Sequence, residues 1–436
     1  MDYKQEMIEK LRDLVAINSV QGEPAPNAPF GEGPRKALDY ALSLCESLGF
    51  RVKDVDGYCG WAEIGEGELF GVLAHLDTVP FEKDGWKRPP LSCDILDGEI
   101  YGRGVVDDKG PFINALYAVK ALLDEGKTPC KRIRFILGCN EETDWHCIER
   151  YLLTEEIPQQ AISPDGDYPV INCEKGLGHF EISSPRPACL IDLKAGDRVN
   201  MVPDKAYCRV DNVSDVAVAY ALKNGVEIKR ENGGWSVRAT GRSAHGSTPQ
   251  LGDNALLKVL NAVSSLDESL ADFSKAFANY DGSSMGLGLA DEASGSLSVT
   301  VGYGKVEDDL LKFGLDIRFP ISYTHEDVFE RLKKAFPNCE VVMKHSHPCL
   351  YFPKNHPFVQ TLLKAYAEVT GDENAQPQTI GGATYARAIP NTLAFGPVFP
   401  DRENLCHQTN ERVSLEDFEK NYLILKKAFE KLCFES

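Results

Sequence analysis

The stretch Leu69-Phe-Gly-Val-Leu-Ala74 is a continuous apolar run that leads directly into His75-Leu-Asp77. A short run of this kind is typical of a strand that is buried on both faces of a sheet. Arg132-Ile-Arg-Phe-Ile-Leu-Gly-Cys139 is a second such run, and helical patterns over 34–48 and 111–125 alternate with the two strands. This alternation predicts an α/β fold with a mainly parallel sheet.

The pattern of predicted secondary structure is different between residues 176 and 349. Strand and turn signals are mixed there with helical patterns, which is typical of an α+β domain. The alternating pattern resumes near residue 350 and ends in a predicted helix over 415–432. We therefore expect a discontinuous α/β domain over 1–175 and 350–436, with an inserted α+β domain over 176–349.

The composition is that of a globular chain with an excess of negative charge. The 436 residues include 66 Asp and Glu against 47 Lys and Arg, a formal net charge of −19. This balance argues against binding to nucleic-acid phosphates and against docking on an anionic membrane. The sequence has no run of 18 apolar residues and no apolar signal-peptide core at its start, so we expect a cytoplasmic protein.

The 13 cysteines lie between Cys45 and Cys433 and form no Cys-x-x-Cys pair. Such a distribution is typical of reduced thiols in the cytosol, and not of a disulfide framework or a thiolate zinc site. Any metal site in this chain must therefore use histidine and carboxylate ligands.

Five short stretches place candidate metal ligands near the ends of predicted elements. Taken singly, each has an ordinary structural explanation, such as a helix cap, a turn or a solvated acidic pair. Together they supply two histidines and several carboxylates, which suit two divalent ions that share a carboxylate and a water. Open α/β sheets place their sites at the carboxyl ends of strands, where four of the stretches are expected. The stretches are His75-Leu-Asp77, Gly102-Arg-Gly-Val-Val-Asp107-Asp108-Lys-Gly-Pro111, Asn140-Glu141-Glu142, Ser163-Pro-Asp165-Gly and His407-Gln-Thr-Asn-Glu411.

In this order the five stretches resemble the co-catalytic metallopeptidases of the M20 family, and in particular its PepV-like branch of Xaa-His, or carnosinase-type, dipeptidases. The match spans nearly the whole chain. The resemblance implies a zinc-peptidase fold with an inserted lid, and hydrolysis of dipeptides that have a free C-terminal carboxylate. Zinc is the usual metal of the family, and ligand sets of this kind also accept manganese or cobalt.

The resemblance also implies a ligand set for two metal ions. Asp107, and not Asp108, would bridge the ions. His75 and Asp165 would complete one site, and Glu142 and His407 would complete the other.

Two further acidic residues receive roles in the same way. Glu141 would be the general base that accepts a proton from the attacking water and returns it to the departing amine. Asp77 would receive the second ring N–H of His75 and so orient this ligand.

The inserted domain contributes substrate-contact candidates through the same resemblance. His245 would stabilise the tetrahedral oxyanion, and Arg318 would bind the substrate carboxylate with its planar guanidinium. Asn200 is a further candidate. Without the resemblance, His245 is a loop histidine and Arg318 is an ion-pair partner at a strand end.

The stretch Gly381-Gly382-Ala383 resembles the glycine-rich loop that lines the substrate cleft in this branch. The branch has a third glycine where this chain has Ala383. Alanine replaces glycine without strain only where the backbone φ is negative. The resemblance therefore implies that Gly382 and Ala383 contact the substrate.

The size of the inserted domain resembles that of members in which the lid covers the site within one chain. We therefore expect a monomer whose domains close on a small peptide. A deacylase of the same family, acting on N-acyl amino acids or succinyl-diaminopimelate-type substrates, is an alternative that would share the metals. A binding protein on this fold would lack a ligand or Glu141, and none is lacking. A serine hydrolase finds little support, because no G-x-S-x-G nucleophile elbow is predicted.

Overall fold

The computed structural model describes residues 3–434, and the chain divides into two compact units. The first unit extends to Asn172 and also includes Phe352–Gln378 and the chain from Thr384 onward. The second unit consists of Cys173–Tyr351 and Thr379–Ala383. The five-residue segment 379–383, which contains the glycine-rich stretch, thus groups with the second unit although the sequence on either side of it belongs to the first.

The centre of the first unit is a parallel sheet, which confirms the predicted fold class. Leu69–His75 lies between Arg132–Gly138 and Gln160–Ser163, and Thr392–Ala394 continues the sheet beyond Gln160–Ser163, with all four strands parallel. Every residue of Leu69–His75 is buried, as its apolar run predicts. The neighbouring antiparallel strands are Arg51–Val55 and Cys59–Ile64 at one side and Ile171–Glu174 at the other.

The helices of the first unit follow the apolar pattern of the sequence. The helix Lys109–Asp124 is buried along nearly its whole length, as expected for a helix that is apolar on all sides. Glu32–Ser47 buries the predicted face that includes Ala37, Leu38 and Cys45. The other helices are Lys4–Val15, His146–Thr154, Pro357–Thr370 and Leu415–Phe429, with a 3-10 turn over Tyr385–Ala388 and a π-helical turn over Glu430–Phe434.

The first unit also contains short strands outside its central sheet. Asp94–Leu96, Glu99–Tyr101 and Arg412–Ser414 form a three-stranded sheet, and Gly166–Asp167 pairs with Pro397–Val398. Two more short strands, Leu350–Tyr351 and Gln378–Ile380, lie near points where the sequence passes from one unit to the other.

The second unit is an antiparallel eight-stranded sheet with helices, an α+β arrangement. Its core is formed by apolar residues of the sheet and of the helix Ala255–Val263, among them Leu256 and Phe313. The helices are Asp215–Asn224, Ala255–Val263, Glu268–Ala276 and His325–Ala335, with 3-10 turns over Pro249–Leu251, Ser264–Leu266 and Ser283–Met285. The strands, in sheet order, are Glu227–Glu231, Gly234–Thr240, Lys205–Val210, Leu190–Ala195, Ser298–Glu307, Leu310–Phe319, Gly176–Pro185 and Glu340–His347, and a separate pair is formed by Ala290–Asp291 and Gly295–Ser296.

Within residues 3–434, no helix combines the length and the apolar character that crossing a lipid bilayer requires.

Candidate metal centre

Three of the five ligand-bearing stretches follow the carboxyl ends of adjacent parallel strands. His75 is the last residue of Leu69–His75, Asn140 comes after Arg132–Gly138, and Asp165 comes after Gln160–Ser163. Because these strands are parallel and in register, their carboxyl ends lie at one edge of the sheet. The fold therefore brings together residues that are up to 90 positions apart, since Asp165 is 90 residues after His75.

The ring of His75 is fully buried and has a defined tautomer. Its Nδ1 lies 3.0 Å from the main-chain oxygen of Asp77. A carbonyl oxygen only accepts hydrogen bonds, so Nδ1 carries a proton, and Nε2 is the nitrogen that faces the carboxylates and would bind a metal once it is deprotonated. This is the orientation that a metal-binding histidine requires.

Asp107 presents its two carboxylate oxygens to two different histidines. Oδ1 lies 2.9 Å from Nε2 of His75, and Oδ2 lies 2.9 Å from Nε2 of His407. On the first side, Oδ2 of Asp165 lies 3.7 Å from Nε2 of His75. On the second side, Oε2 of Glu142 lies 3.0 Å from Nε2 of His407. The five predicted ligands thus form two groups that share Asp107.

The separations between these atoms fit divalent cations. Two ligand atoms that each lie about 2.1 Å from a tetrahedral ion are about 3.4 Å apart. One ligand atom from each of His75, Asp107 and Glu142 lies within 4.8 Å of the others. Imidazole nitrogens and carboxylate oxygens are donors that zinc, manganese and cobalt accept.

The electrostatics of the group also favour a bound cation. Burial, and after it the charge of Asp107, raises the pKa of Asp165 to about 7. Burial likewise raises the pKa of Glu142, with Asp107 adding to the effect. Hydrogen bonds to Asp107 and Glu142 raise the pKa of His407 to about 11. Carboxylates crowded in this way repel one another unless protons or cations lie between them, so the residues present fit a metal centre.

Asp108, the residue after Asp107, has a different environment. Oδ2 of Asp108 accepts the main-chain N–H of His75 at 3.1 Å. Its Oδ1 is a buried oxygen for which the described part of the chain provides no hydrogen-bond donor. Burial, followed by the charge of Asp165, raises the pKa of Asp108 well above its usual range. Asp108 therefore supports the strand end that carries His75.

Asp77 contacts more groups than the sequence predicts. Its carboxylate lies 3.6 Å from Nδ1 of His75, farther than its main-chain oxygen. The two carboxylate oxygens instead accept the main-chain N–H groups of Glu141 and Glu142, each at 3.0 Å. Asp77 thereby fixes the backbone of both glutamates while its carbonyl group orients His75.

The carboxylate of Glu141 lies near the predicted metal ligands, and a residue outside the ligand set holds it. Its Oε1 accepts the indole N–H of Trp145 at 3.2 Å. Burial raises the pKa of Glu141 well above its usual range, and the charge of Asp165 adds to this increase. A glutamate beside the predicted metal ligands is suited in position to accept and return a proton.

Tyr385 supports the site, and sequence analysis did not identify it. Its ring is fully buried and stands edge-on to the ring of His75, with the ring centroids 5.9 Å apart. Its hydroxyl lies 3.4 Å from Sγ of Cys147. A Cβ at Gly138 would collide with the Tyr385 hydroxyl, which explains the glycine at the end of this strand. No periodicity of the sequence marks this packing.

In the second unit, Arg318 is buried and held by Asp316. The guanidinium donates from Nε to Oδ1 of Asp316 at 2.6 Å and from Nη2 to Oδ2 at 2.7 Å. Nη1 donates to the main-chain oxygen of Gly381 at 3.1 Å. These three bonds fix the plane of the guanidinium and leave one N–H on each terminal nitrogen for a further acceptor.

The other candidates of the second unit lie around the same segment. The main-chain N–H of Gly246, next to His245, donates to the main-chain oxygen of Asn200 at 2.7 Å. Nδ1 of His245 lies 2.8 Å from Oγ of Ser247. A Cβ at Gly381 would lie 3.2 Å from Cβ of Ser247. Contacts within this unit thus connect Asn200 and His245 with the glycine-rich stretch.

Gly382 and Ala383 follow Gly381 in this stretch, and neither has a positive φ. Alanine is therefore accommodated at position 383 without backbone strain. The side chain of Ala383 is exposed, whereas Gly382 is half-buried.

A G-x-S-x-G string lies in the second unit, although the sequence pattern predicts no nucleophile elbow. The segment Gly282-Ser-Ser284-Met-Gly286 does have the letters of a G-x-S-x-G motif. It forms a 3-10 turn, and Oγ of Ser284 donates to the main-chain oxygen of Ala276 at 2.7 Å. A nucleophile elbow joins a strand to a helix, so this turn does not support a serine hydrolase.

Comparisons with known proteins show the family of the chain. The family model described as Peptidase family M20/M25/M40 matches residues 71–431. A Staphylococcus saprophyticus protein named "putative dipeptidase" is 35% identical over 463 residues, which cover 100% of this chain and 98% of that protein.

Solved structures show the same fold at low sequence identity. An M20 family metallo-carboxypeptidase from Sulfolobus solfataricus superposes with a TM-score of 0.58 at 17% identity and covers 99% of both chains. Human carnosine dipeptidase 1 superposes with a TM-score of 0.56 at 15% identity, covering 98% of this chain and 96% of that one.

Proposed function

Because the chain belongs to peptidase family M20/M25/M40, we propose that it is a metal-dependent dipeptidase that cleaves dipeptides with a free C-terminal carboxylate. The observation that carries this proposal is the position of Asp107, whose two oxygens each lie 2.9 Å from a different histidine. A carboxylate placed in this way is suited to bridge two cations. The name of the Staphylococcus saprophyticus relative supports the choice of dipeptides as substrates.

The proposed centre holds two divalent ions, most simply zinc, with manganese or cobalt as the other candidates. His75, Asp107 and Asp165 hold one ion, and Asp107, Glu142 and His407 hold the other. When bound, such ions lower the pKa of a water and polarise the scissile carbonyl group.

Glu141 is the proposed general base. Its main-chain N–H is fixed by Asp77 and its Oε1 by the indole of Trp145. The carboxylate accepts a proton from the attacking water and returns it to the departing amine.

His245 is proposed to donate a hydrogen bond to the oxyanion that develops on the substrate. The main-chain N–H of Ser247 donates to Nδ1 of His245 at 3.3 Å, so Nδ1 is an acceptor and the proton resides on Nε2. Burial and the charge of Arg318 lower the pKa of His245, so the ring is neutral at neutral pH. A neutral ring with this tautomer offers Nε2–H to a negatively charged oxygen.

Arg318 is proposed to bind the free carboxylate of the substrate. The N–H groups that remain on its two terminal nitrogens form the fork that a carboxylate accepts in a bidentate manner. Asp316 holds the fork in one plane and lowers the entropy lost when substrate binds. Asn200, Gly382 and Ala383 are proposed as further contacts to the peptide.

A substrate panel tests this proposal. The metal-loaded protein is assayed against Xaa-His, β-Ala-His, other L-dipeptides and D-residue variants, with N-acyl amino acids and succinyl-diaminopimelate in parallel. We expect hydrolysis of at least one class of dipeptide and little hydrolysis of the acylated compounds. Hydrolysis of the acylated compounds alone would identify a deacylase and refute the proposal.

A further inference from the structure

Glu411 and Arg103 form an ion pair in the interior of the first unit. Nη1 of Arg103 donates to Oε2 of Glu411 at 2.7 Å, and the side chains are 3% and 0% exposed. The guanidinium also packs over the ring of Trp86, 5.5 Å from its centroid. A buried ion pair generally adds little to stability, because desolvation offsets the attraction between the charges. Its presence beside the ligands therefore calls for another explanation.

The Glu411 carboxylate binds the loop that carries the bridging ligand. Oε1 accepts main-chain N–H groups from Gly104 at 3.0 Å, from Val106 at 2.9 Å and from Asp107 itself at 3.3 Å. The main-chain oxygen of Glu411 accepts the N–H of Gly102 at 3.1 Å. The backbone of the loop 102–107 is thus wrapped around a single carboxylate.

Arg103 binds the loop that carries His407. Its Nη2 donates to the main-chain oxygen of Gln408 at 3.3 Å. His407 has a left-handed backbone, with a φ of 65°, which costs free energy in a residue other than glycine. The hydrogen bond from Arg103 holds the chain directly after this residue. The same ion pair therefore contacts both ligand loops.

We infer that Glu411 and Arg103 are positioning residues that hold Asp107 and His407 at their mutual distance. This inference rests on the proposed function, because it takes Asp107 and His407 as metal ligands. His75 ends one strand of the central sheet and Asp165 follows another, so their placement does not depend on Glu411. Loss of the pair should therefore weaken the ion on the His407 side more than the ion on the His75 side.

The substitution Glu411→Gln tests this inference with almost no change in volume. The amide nitrogen of glutamine is a donor, and it would face the N–H groups of Gly104 or of Arg103, which are donors too. Glu63→Gln is the matched control, because Glu63 accepts from Arg134 at 2.7 Å in another buried ion pair of the same unit. Arg103→Lys is a second variant that keeps the charge and loses the fork that reaches Gln408.

The experiment is a zinc titration of the metal-free proteins by calorimetry, with bound zinc counted after dialysis and thermal unfolding measured alongside. We expect wild type and Glu63→Gln to bind two ions per chain with the same affinities. In Glu411→Gln and Arg103→Lys, one of the two ions should bind about 10–100-fold more weakly, as when a supporting partner of a ligand is removed. Any loss of thermal stability should be no larger than in Glu63→Gln.

Two results separate failure of this inference from failure of the proposed function. If Glu411→Gln binds both ions with wild-type affinity, the positioning role is overturned. If Glu411→Gln does not fold, the same result in Arg103→Lys overturns it. Wild-type protein that binds fewer than two ions would instead contradict the proposed dinuclear centre, and the inference with it.

Discussion

The carboxylate of Asp77 accepts the main-chain N–H of Glu141 at 3.0 Å, while its own carbonyl oxygen accepts the ring N–H of His75. One residue therefore fixes both the proposed general base and the first proposed metal ligand. The positions of the proposed proton acceptor and of the proposed metal ligand therefore both depend on Asp77.

Asp77→Asn should disturb the backbone of Glu141 and Glu142 and keep the main-chain contact to His75. The asparagine oxygen can still accept one N–H, but its amide nitrogen is a donor that faces the N–H of Glu141 or Glu142. We expect kcat on a dipeptide to fall about 10–100-fold, the usual effect of losing a partner that supports a ligand. Steady-state kinetics measure this change, and a variant with wild-type kcat would show that the contact is dispensable.

Glu141→Gln should keep the metals and lose turnover. Glutamine retains the shape of the side chain and cannot accept a proton, so kcat should decrease by about 100-fold to 10,000-fold. Glu142→Gln is the matched control, because Oε2 of Glu142 faces His407 and its loss should lower the metal content. Metal analysis and kinetics on both variants distinguish the two roles, and full activity of Glu141→Gln would refute the general-base assignment.

The alanine variants His75→Ala and His407→Ala should lose metal, in contrast to Glu141→Gln. Each removes the imidazole nitrogen that lies 2.9 Å from Asp107 and so takes one donor from one of the two proposed sites. Metal analysis after dialysis measures the loss. Retention of two ions by either variant would exclude that histidine as a ligand.

The stabilisation of the protein by metal should increase with pH. The pKa of Asp165 is raised from 3.8 to about 7 by burial and by Asp107. A raised pKa stabilises the metal-free fold below about pH 4, and this contribution is lost as the pH rises through 7. Metal binds the deprotonated ligand, so binding is weakened by proton competition at low pH. The increase in Tm on saturation with metal should therefore be larger at pH 8 than at pH 6.

Asp165→Asn provides the control for the pH prediction. The amide does not titrate, so the difference between the two pH values should become smaller. An increase in Tm that is equal or larger at pH 6 in the wild-type protein would contradict the prediction.

Arg318→Lys should lower kcat/KM for substrates that have a free carboxylate. A lysine cannot reproduce the fork, and hydrogen bonds between charged groups contribute about 1.5–3 kcal/mol, so kcat/KM should fall at least about tenfold. Dipeptide amides lack the carboxylate and should be affected less. Arg238→Lys is a suitable control, since Arg238 is a surface arginine of the same unit that pairs with Glu231. Unchanged kinetics of Arg318→Lys on free dipeptides would exclude the proposed role.

The sequence predicts the central sheet and the grouping of the ligands for a clear physical reason. A strand buried on both faces requires a continuous apolar run, and Leu69–His75 has one. Polar residues at the ends of parallel strands or just after them lie at the carboxyl edge of the sheet, as His75 and Asp165 do. For these residues, the local sequence pattern therefore predicts the position in the fold.

The supporting residues could not be predicted in the same way. Glu411 lies in a segment without regular structure, and its burial depends on Arg103, which is 308 residues away in the sequence. Asp77 illustrates the same limit, because alternation along a strand predicts contact with His75 but not the hydrogen bonds to Glu141 and Glu142. Long-range hydrogen bonds of loop residues leave no periodic signal in the sequence.

The rate of dipeptide hydrolysis as a function of bound metal is the measurement that bears most directly on a dinuclear dipeptidase. Metal-free protein is loaded in steps, bound metal is counted at each step, and initial rates are measured on a dipeptide from the panel. We expect the rate to rise to a plateau at two ions per chain. Absence of dipeptide hydrolysis at every metal content, or full activity of the metal-free protein, would contradict this expectation.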